Sequence, residues 1–422
     1  MLPIPAPAWI GAAGARCRGH AGRVQRPLLP FLLFIGVFSA IVAGVHYYLW
    51  QRLIRAPDLG PLWHRVGSVA LVVLALLVPV GLFVTRALPR HIGSIVAGVV
   101  YTWVGLAVLL FFLLLTSELV RLGAHGVTAL LSQPPLDSDR RTFLSRAIAG
   151  AVGALAVGLG FAGAASALGE VAVRPVRVRL RRLPAAMSGF RVVQLTDLHI
   201  GPTIGREWLE RVVARVNALE PDVVAITGDL VDGSVEELRE HTAPLADLRA
   251  RHGVFFVTGN HEYYSGVEAW IAELRRLGVR VLRNERVTIG EGELSFDLAG
   301  VDDWSSRNMG RDHGPDLARA LAGRDPSREL VLLAHQPKQI LEAAERGVGL
   351  QLSGHTHGGQ IFPWGLFVRL DQPYVAGLSS HGETQIYVSR GTGYWGPPMR
   401  VGAPSEISLI ELEGTAAAEA LA

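Results

Sequence analysis

The chain has 422 residues, half of them hydrophobic, and a formal net charge of only +3 at pH 7. This length exceeds that of a typical single domain, and the charge shows no concentrated basic face of the kind that nucleic-acid binding needs. Cys17 is the only cysteine, which excludes an intrachain disulfide. We therefore expect two or more structural units and no nucleic-acid partner.

The first 170 residues contain four apolar stretches, each long enough to cross a bilayer as a helix of about 20 residues. They lie near Leu28–Trp50, Val66–Thr85, Ile92–Leu115 and Ala147–Leu168. A buried bundle in a soluble protein is the alternative, but these stretches are almost free of ionisable residues, which favours membrane spans. Residues 1–170 are therefore predicted to form an all-α bundle of four transmembrane helices. No buried charge marks an ion path, so an anchor is favoured over a transporter.

The sidedness of this anchor depends on one short motif. Arginines are nearly balanced on the two sides of the predicted spans, so the positive-inside rule does not decide the orientation. The segment Asp139–Ser145, which contains Arg140 and Arg141 and precedes an apolar stretch, resembles a twin-arginine export signal. Two arginines that simply flank a membrane helix are the alternative. We expect a multi-pass protein of the cell membrane whose C-terminal domain is extracytoplasmic.

Residues 171–189 form a basic juncture in which arginines alternate with valine and leucine. The period of two predicts an edge strand with a solvated arginine face, and contact of the same face with anionic lipid headgroups is compatible with it. In residues 190–413, apolar strands alternate with helical segments, which is typical of βαβ units around a mostly parallel sheet. Residues 414–422 are predicted to be a frayed tail.

The C-terminal region contains five strands that each lead into a polar motif. These strands are predicted at Phe190–Thr196, Asp222–Thr227, Gly253–Thr258, Glu329–Ala334 and Val348–Ser353. Crossover helices are predicted at Arg206–Ala218, Glu236–Arg249 and Val267–Leu277. Further strands, which suggest a second sheet, are predicted near Val281 and at Leu294–Gly300, Gln385–Ser389 and Ile407–Glu411. Open α/β sheets bind ligands beyond the carboxyl ends of their strands, so the motifs are expected at one rim.

The motifs at these strand ends consist of Asp, Asn and His residues. They are Asp197-Leu198-His199, Gly228-Asp229, Gly259-Asn260-His261-Glu262, Ala334-His335 and Gly354-His355-Thr356-His357. Most of them taken singly have ordinary explanations, such as a turn or a hydrogen-bonded histidine. Together they suggest a metal site, and a mixed carboxylate and imidazole set suits Mn, Fe or Zn better than Mg or Ca. The ligands outnumber one tetrahedral site, which favours two metals about 3.5–4 Å apart that share a carboxylate.

This series of motifs resembles the signature of the calcineurin-like metallophosphoesterase superfamily, and in particular its membrane-associated bacterial branch. The resemblance extends over about residues 188–411. It implies a four-layer α/β/β/α metallophosphoesterase sandwich, in agreement with the two sheets suggested above.

The resemblance also implies two divalent transition metal ions and a role for each motif. The first metal would be held by Asp197, His199 and His357, and the second by Asn260, His335 and His355. Asp229 would bridge the two metals. His261 would be the catalytic general acid near the leaving group rather than a metal ligand.

The implied reaction is hydrolysis of a phosphoester by a metal-bridging hydroxide, and a phosphodiester is the expected type. A membrane anchor favours a lipid-linked or envelope substrate, such as a phospholipid or a nucleotide-linked glycolipid. Soluble phosphodiesters or nucleotides are an alternative, and so is a non-catalytic phosphate-binding sensor or scaffold.

Two arginines are weaker candidates for substrate binding. Arg390 and Arg400 flank a glycine-rich loop that could approach a phosphate, or they merely pack over the sheet. Several aromatic residues either line an apolar lip or are ordinary buried side chains, namely Tyr263, Tyr264, Trp364 and Trp395.

Overall fold

The computed structural model describes residues 28–132, 137–310 and 313–415. These residues form two compact units. The first comprises the chain up to Ala165 together with the segment Gly396–Val401, and the second comprises Ser166–Trp395 and the residues from Gly402 onward. Residues 1–27 and most of the predicted tail lie outside the described residues.

Long apolar helices dominate the first unit. They are α1 Leu28–Trp50, α2 Pro61–Ala87, α3 Arg90–Leu130 and α4 Ser138–Leu168. All four are long and apolar enough to cross a membrane, as the sequence predicts. The predicted spans lie within these helices, and α3 and α4 extend beyond them because polar residues that end an apolar run do not end a helix. Arg140 and Arg141 consequently lie within the first turn of α4 and not in a loop.

Two pairs of polar side chains lie within the helical unit. Nε1 of Trp103 donates a hydrogen bond to Nε2 of His46 at 2.9 Å. Arg52 forms an ion pair with Glu118 at 2.8 Å. Ionisable groups in a membrane are costly unless they are paired, so both contacts are consistent with a structural role in an anchor.

The second unit contains strands and shorter helices. The strands are β1 Ala172–Leu180, β2 Phe190–Leu195, β3 Val223–Thr227, β4 Val254–Val257, β5 Arg280–Val281, β6 Glu285–Glu291, β7 Leu294–Gly300, β8 Leu330–Leu333, β9 Leu350–Ser353, β10 Gly377–His381, β11 Thr384–Val388 and β12 Glu406–Gly414. The helices are α5 Arg206–Asn217, α6 Val235–Thr242, α7 Asn260–Ser265, α8 Val267–Arg276, α9 Leu317–Ala320, α10 Ile340–Glu345 and α11 Gly365–Val368. The strands form two six-stranded sheets, in the orders β1-β12-β2-β3-β4-β5 and β10-β11-β9-β8-β7-β6.

The two sheets face each other across an apolar layer, and helices cover their outer faces. Val192 of β2 and Leu298 of β7 belong to the same buried cluster between the sheets. Trp270 of α8 packs in a cluster behind the first sheet, and Ile340 of α10 packs in one behind the second. This arrangement is the predicted four-layer α/β/β/α sandwich.

Two of the further strands belong to a different sheet from the one expected. The strand near Val281 and the strand that contains Ile407–Glu411 are β5 and β12, and both lie in the first sheet. β12 enters between β1 and β2, parallel to one and antiparallel to the other. The apolar pattern of a strand does not specify its partners, so the sequence could not reveal this order.

The predicted helix Glu236–Arg249 is also shorter than expected. α6 ends at Thr242, and a 3-10 helix follows over Ala243–Asp247. Pro244 lacks the N–H that an α-helix would need at this position, and its ring disfavours the α-helical ladder.

The basic juncture forms the edge strand that the alternation predicts. In the described part of the chain β1 pairs on one side only, with β12, and it buries Val178. Arg177 and Arg179 are exposed and lie near Glu411 and Glu413 respectively. Exposed ion pairs contribute about 0–1 kcal/mol, so the ladder and the buried face hold this strand.

Candidate metal centre

The polar motifs follow parallel strands of both sheets. β2, β3 and β4 are parallel neighbours in the first sheet, and β8 and β9 are parallel neighbours in the second. The side chains that follow these strands come together at one edge of the sandwich. The one rim that the sequence predicts is therefore built from two sheets.

Five of the predicted ligands have a left-handed backbone conformation. The φ angles are +52° at Asp197, +49° at His199, +51° at Asp229, +70° at His355 and +50° at His357. Non-glycine residues rarely adopt this conformation, which costs about 1–3 kcal/mol at each position. Strain of this kind persists where the surrounding structure enforces it and is typical of functional sites.

One cluster consists of Asp197, His199 and His357, whose candidate ligand atoms all lie within 4.8 Å of one another. Nε2 of His357 lies 3.3 Å from Oδ1 of Asp197 and 3.1 Å from Nε2 of His199. The Asp197 carboxylate also accepts the backbone N–H of His355 at 3.0 Å. The residues predicted for the first metal therefore surround one point.

A second cluster consists of Asp229, His335 and His355, again with ligand atoms within 4.8 Å of one another. Nε2 of His335 lies 3.1 Å from Oδ2 of Asp229 and 3.2 Å from Nδ1 of His355. Nδ1 of His335 donates a hydrogen bond to the backbone carbonyl of Thr227 at 2.8 Å. Because Nδ1 donates to this carbonyl, Nε2 is the ring nitrogen that remains available to a metal ion.

Asn260 provides a test of whether these residues fit a metal. Its Oδ1 atom is buried and has no hydrogen-bond partner among the described residues. The N–H of the next residue, His261, donates to Oδ1 of Asp229 at 2.9 Å, which places Asn260 beside the second cluster. An unsatisfied buried acceptor costs about 1–3 kcal/mol, and a cation held by this cluster would satisfy it. The donor set therefore fits divalent metal ions.

Asp229 lies between the two clusters. Its Oδ2 atom is 3.1 Å from Nε2 of His335, in the second cluster. The same oxygen is 3.9 Å from Nε2 of His199, in the first cluster. Nε2 of His261 also lies 3.9 Å from it. One carboxylate oxygen thus faces both clusters, as a bridging ligand would.

Sequence analysis did not identify Asp232, which contacts two of the motif histidines. Its Oδ2 accepts a hydrogen bond from Nδ1 of His199 at 3.1 Å, and its Oδ1 accepts one from Nδ1 of His261. Both rings are thereby oriented with Nε2 towards Asp229. The sequence does show a second aspartate three residues after Asp229, but an aspartate in a turn is too common to indicate this role.

Glu262 ties two of the motif-bearing turns together. Its buried carboxylate accepts the backbone N–H groups of Gly259, Asp229 and Leu230. Burial raises the pKa of Glu262 to about 8, and the nearby charge of Asp229 adds to this effect. The turns after β3 and β4 therefore share one anchor, which fixes Asp229 relative to Asn260.

The site sets different protonation states for neighbouring histidines. Burial would lower the pKa of His261, but the charges of Asp229 and Asp232 outweigh it and raise that pKa to about 9. Burial and the neighbouring His335 lower the pKa of His355 to about 3. At neutral pH His261 therefore carries an extra proton, whereas His355 is a neutral imidazole of the kind that binds metal.

Two glycines of the motifs are required by close packing. A Cβ atom at Gly259 would collide with the carboxylate of Asp229, and one at Gly354 would collide with Thr196 and Asp197. Any larger residue would displace a candidate ligand. This explains why glycine precedes Asn260 and His355 in the sequence.

The two arginines proposed for phosphate binding lie in different surroundings. Nη1 of Arg390 pairs with Glu406 at 2.9 Å. Arg400 is buried and belongs to Gly396–Val401, the segment that clusters with the helices. A role for either in phosphate binding stays a prediction.

Aromatic rings flank His261. The ring centroid of Tyr264 lies 5.3 Å from that of His261, and that of Trp395 lies 5.7 Å from it. Trp395 is half exposed, so it forms part of the surface beside His261. Tyr263 packs against the ring of His313.

Comparison with known proteins places the chain in a family. Residues 190–359 match the family model of the calcineurin-like phosphoesterases. The chain is 46% identical over 224 residues to an uncharacterized metallophosphoesterase of Helicobacter pylori, a match that covers 53% of this chain and 59% of that protein, less than two thirds of its length. It is 36% identical over 403 residues to a transmembrane protein with metallophosphoesterase domain of Danio rerio, covering 91% of this chain and 89% of that protein.

A third relative supports the same assignment. An uncharacterized metallophosphoesterase of Campylobacter jejuni is 33% identical over 386 residues, covering 91% of this chain and 99% of that protein. The chain belongs to the calcineurin-like metallophosphoesterase family, as its motifs predict. With its four long apolar helices and transmembrane relatives, it is a membrane protein of that family.

Proposed function

We propose that the protein is a membrane-anchored phosphoesterase that uses two divalent transition metal ions and acts on a lipid-linked or envelope phosphodiester. The observation that carries this proposal is the position of Asp229, whose Oδ2 faces histidines of both ligand clusters. A carboxylate in this position suits a shared ligand of a two-metal site. The mixed nitrogen and oxygen donors suit Mn, Fe or Zn.

The proposed ligands divide into two sets with one shared member. Asp197, His199 and His357 would hold the first metal, and Asn260, His335 and His355 the second, with Asp229 common to both. When bound, the two ions neutralise charge on the phosphoryl oxygens and lower the pKa of coordinated water. The protein supplies the positions of these ligands and the proton for the leaving group.

His261 is the proposed general acid. Its Nδ1 is held by Asp232, and its Nε2 lies 3.9 Å from Oδ2 of Asp229. In the metal-free protein, the charges of Asp229 and Asp232 raise the pKa of His261 to about 9, which favours a protonated ring. A proton at Nε2 can be delivered to the oxygen that leaves phosphorus. Asp232 acts through His261 and is a positioning residue.

The membrane topology is part of the proposal. Arg140 and Arg141 lie near the start of α4 in a motif that resembles a twin-arginine signal, and their retention in the cytoplasm would give residues 190–413 an extracytoplasmic position. The membrane domain would comprise residues 1–170, and it would be followed by the separate basic juncture at residues 171–189. A C-terminal reporter that is active only outside the cytoplasm tests this orientation, and activity of a cytoplasm-only reporter would contradict it.

The catalytic proposal is tested with the full chain in detergent. Metal-free protein is reloaded with Mn, Fe or Zn and assayed on an aryl phosphodiester, then on phospholipids, nucleotide-linked glycolipids and soluble nucleotides. We expect two bound ions per chain, metal-dependent turnover and a preference for a lipid substrate. Asp229→Asn should lose both ions and activity, whereas Asp325→Asn, at an exposed turn, should retain both. Binding of metal without any turnover would favour a non-catalytic phosphate sensor, and turnover of soluble substrates alone would remove the lipid assignment.

A further inference from the structure

A short segment after the last metal-ligand motif exposes several large apolar side chains. The segment Ile361–Leu370 is called here the apolar loop. The exposed fractions of its large side chains are 67% at Phe362, 42% at Trp364, 60% at Leu366, 40% at Phe367 and 82% at Leu370. Scattered exposed apolar residues are ordinary, but a cluster of this kind marks an interaction surface.

The apolar loop is held in place at both ends. At its start, Ile361 is buried and forms a β-bridge with Gly402. Just after its end, Asp371 pairs with Lys338 at 3.0 Å, and the buried Gln372 accepts the backbone N–H of Lys338. Burying one such apolar side chain would stabilise the protein by about 1.5–3 kcal/mol. The contacts at both ends of the loop therefore keep these side chains exposed, although burying them would stabilise the protein.

The apolar loop begins next to the candidate metal centre. Nε2 of Gln360 donates a hydrogen bond to the backbone carbonyl of Trp395 at 2.9 Å, and its Oε1 accepts the N–H of Trp395 at 3.0 Å. The ring of Trp395 packs 5.7 Å from that of His261. Whatever covers the apolar loop is therefore close to the proposed acid.

Two observations indicate a bilayer as the partner of this surface. Trp395 directly precedes Gly396–Val401, a segment that clusters with the membrane helices, where Met399 lies close to Gly105 and Gly160. The loop also combines Trp, Phe and Leu side chains with the exposed Arg369. Tryptophan and other apolar side chains favour the boundary between headgroups and acyl chains, and a neighbouring arginine suits anionic headgroups.

We propose that the apolar loop inserts into the surface of the bilayer that holds the helices of the same chain. The loop then contacts the boundary between the lipid headgroups and the acyl chains, and it holds the proposed general acid close to the headgroups. This inference does not depend on the proposed catalysis, because insertion is measurable in protein that hydrolyses nothing.

The test places a fluorescent probe on the loop. Cys17 is the only native cysteine, so Cys17→Ser provides a background for Leu370→Cys and, separately, Leu366→Cys in the full chain. Each variant is labelled with an environment-sensitive dye and reconstituted in lipid nanodiscs that contain phosphatidylglycerol, with or without a nitroxide on the acyl chain. The matched control is Leu294→Cys, since Leu294 is a leucine with 51% exposure at the start of β7.

We expect blue-shifted emission and at least twofold stronger nitroxide quenching at positions 370 and 366 than at the Leu294 control. Adding Leu366→Glu to the Leu370→Cys variant should reduce the quenching to the control level, whereas adding Leu294→Glu should not. Quenching equal to the control at both loop positions would overturn the proposal. A blue shift that grows with the number of chains per disc, without nitroxide quenching, would also overturn it and assign the loop to a second copy of the chain.

Discussion

The carboxylate of Asp232 accepts a hydrogen bond from Nδ1 of His261 and thereby fixes the ring that we propose as general acid. The other oxygen of the same carboxylate accepts a hydrogen bond from Nδ1 of His199 at 3.1 Å. One aspartate therefore orients both the candidate acid and a candidate metal ligand. Loss of this aspartate should affect both.

Asp232→Asn should lower kcat about 10–100-fold, the usual cost of losing a partner that orients a ligand or catalytic ring. Because the charge of Asp232 raises the pKa of His261, the alkaline limb of the pH–rate profile should move to lower pH. The profile and the metal content are measured together, with Asp247→Asn at an exposed position as the control. An unchanged profile would contradict the positioning role.

His261→Ala should retain both metals and lose turnover, since the proposed role of His261 is to donate a proton and not to hold a metal; its Nε2 lies 3.9 Å from Oδ2 of Asp229. General acid catalysis contributes about 10²–10⁴-fold. The loss should be large for an alkyl phosphodiester and much smaller for a nitrophenyl ester, whose leaving group needs no proton. His381→Ala, in β10, serves as the control. An equal loss for both leaving groups would exclude the acid role.

Asn260→Ala should weaken metal binding without lowering the stability of the metal-free protein. Oδ1 of Asn260 is a buried acceptor without a described partner, so its removal from metal-free protein should not lower Tm. The rise in Tm on adding Mn should shrink, because ligand affinity determines that stabilisation. The matched control is Asn217→Ala, whose amide is bonded to Asp247 and Arg249 and which should lower Tm equally with and without metal. If both variants behaved alike, Asn260 would not be a ligand.

The candidate metal-ligand set could be predicted from sequence because each motif directly follows an apolar strand. Parallel neighbours bring such ends together, so His335 and Asp229 are expected to meet even though many residues separate them. Asp232 could not be predicted in the same way. An aspartate in a turn is common, and only the fold shows that it reaches both His199 and His261.

The apolar loop illustrates a different limit. A segment such as Phe362–Leu370 is normally expected to be buried, and the pattern of its residues does not say whether it is. The structure shows its ends held by Ile361 and Asp371 while Leu366 and Leu370 remain exposed. Exposure of this kind depends on the tertiary packing around the loop. The insertion of β12 into the first sheet likewise depends on tertiary structure that the sequence pattern does not specify.

The stability of metal-free protein should depend on pH through its imidazole–carboxylate pairs. Asp229 and Asp232 raise the pKa of His261 to about 9 against the effect of burial, whereas an unfolded histidine titrates near about 6.5. The stabilisation from this group is therefore complete below about pH 6.5 and is lost as the pH rises through about 9. For Asp229, His335 and His261 outweigh burial and hold the pKa well below its usual range. Its contribution is present above about pH 4 and is lost in stronger acid.

Tm measured in EDTA should therefore be highest between about pH 4 and 6.5 and should fall towards about pH 9. With Mn present, the cations take the place of the protons among the carboxylates, so the alkaline fall should flatten. Acid should then destabilise more steeply, because protons compete with metal for the histidines. His261→Gln should reduce the alkaline fall in EDTA, while His381→Gln should leave it unchanged. A metal-free Tm that stays level across the alkaline range would show that the paired histidine and aspartates do not stabilise the fold.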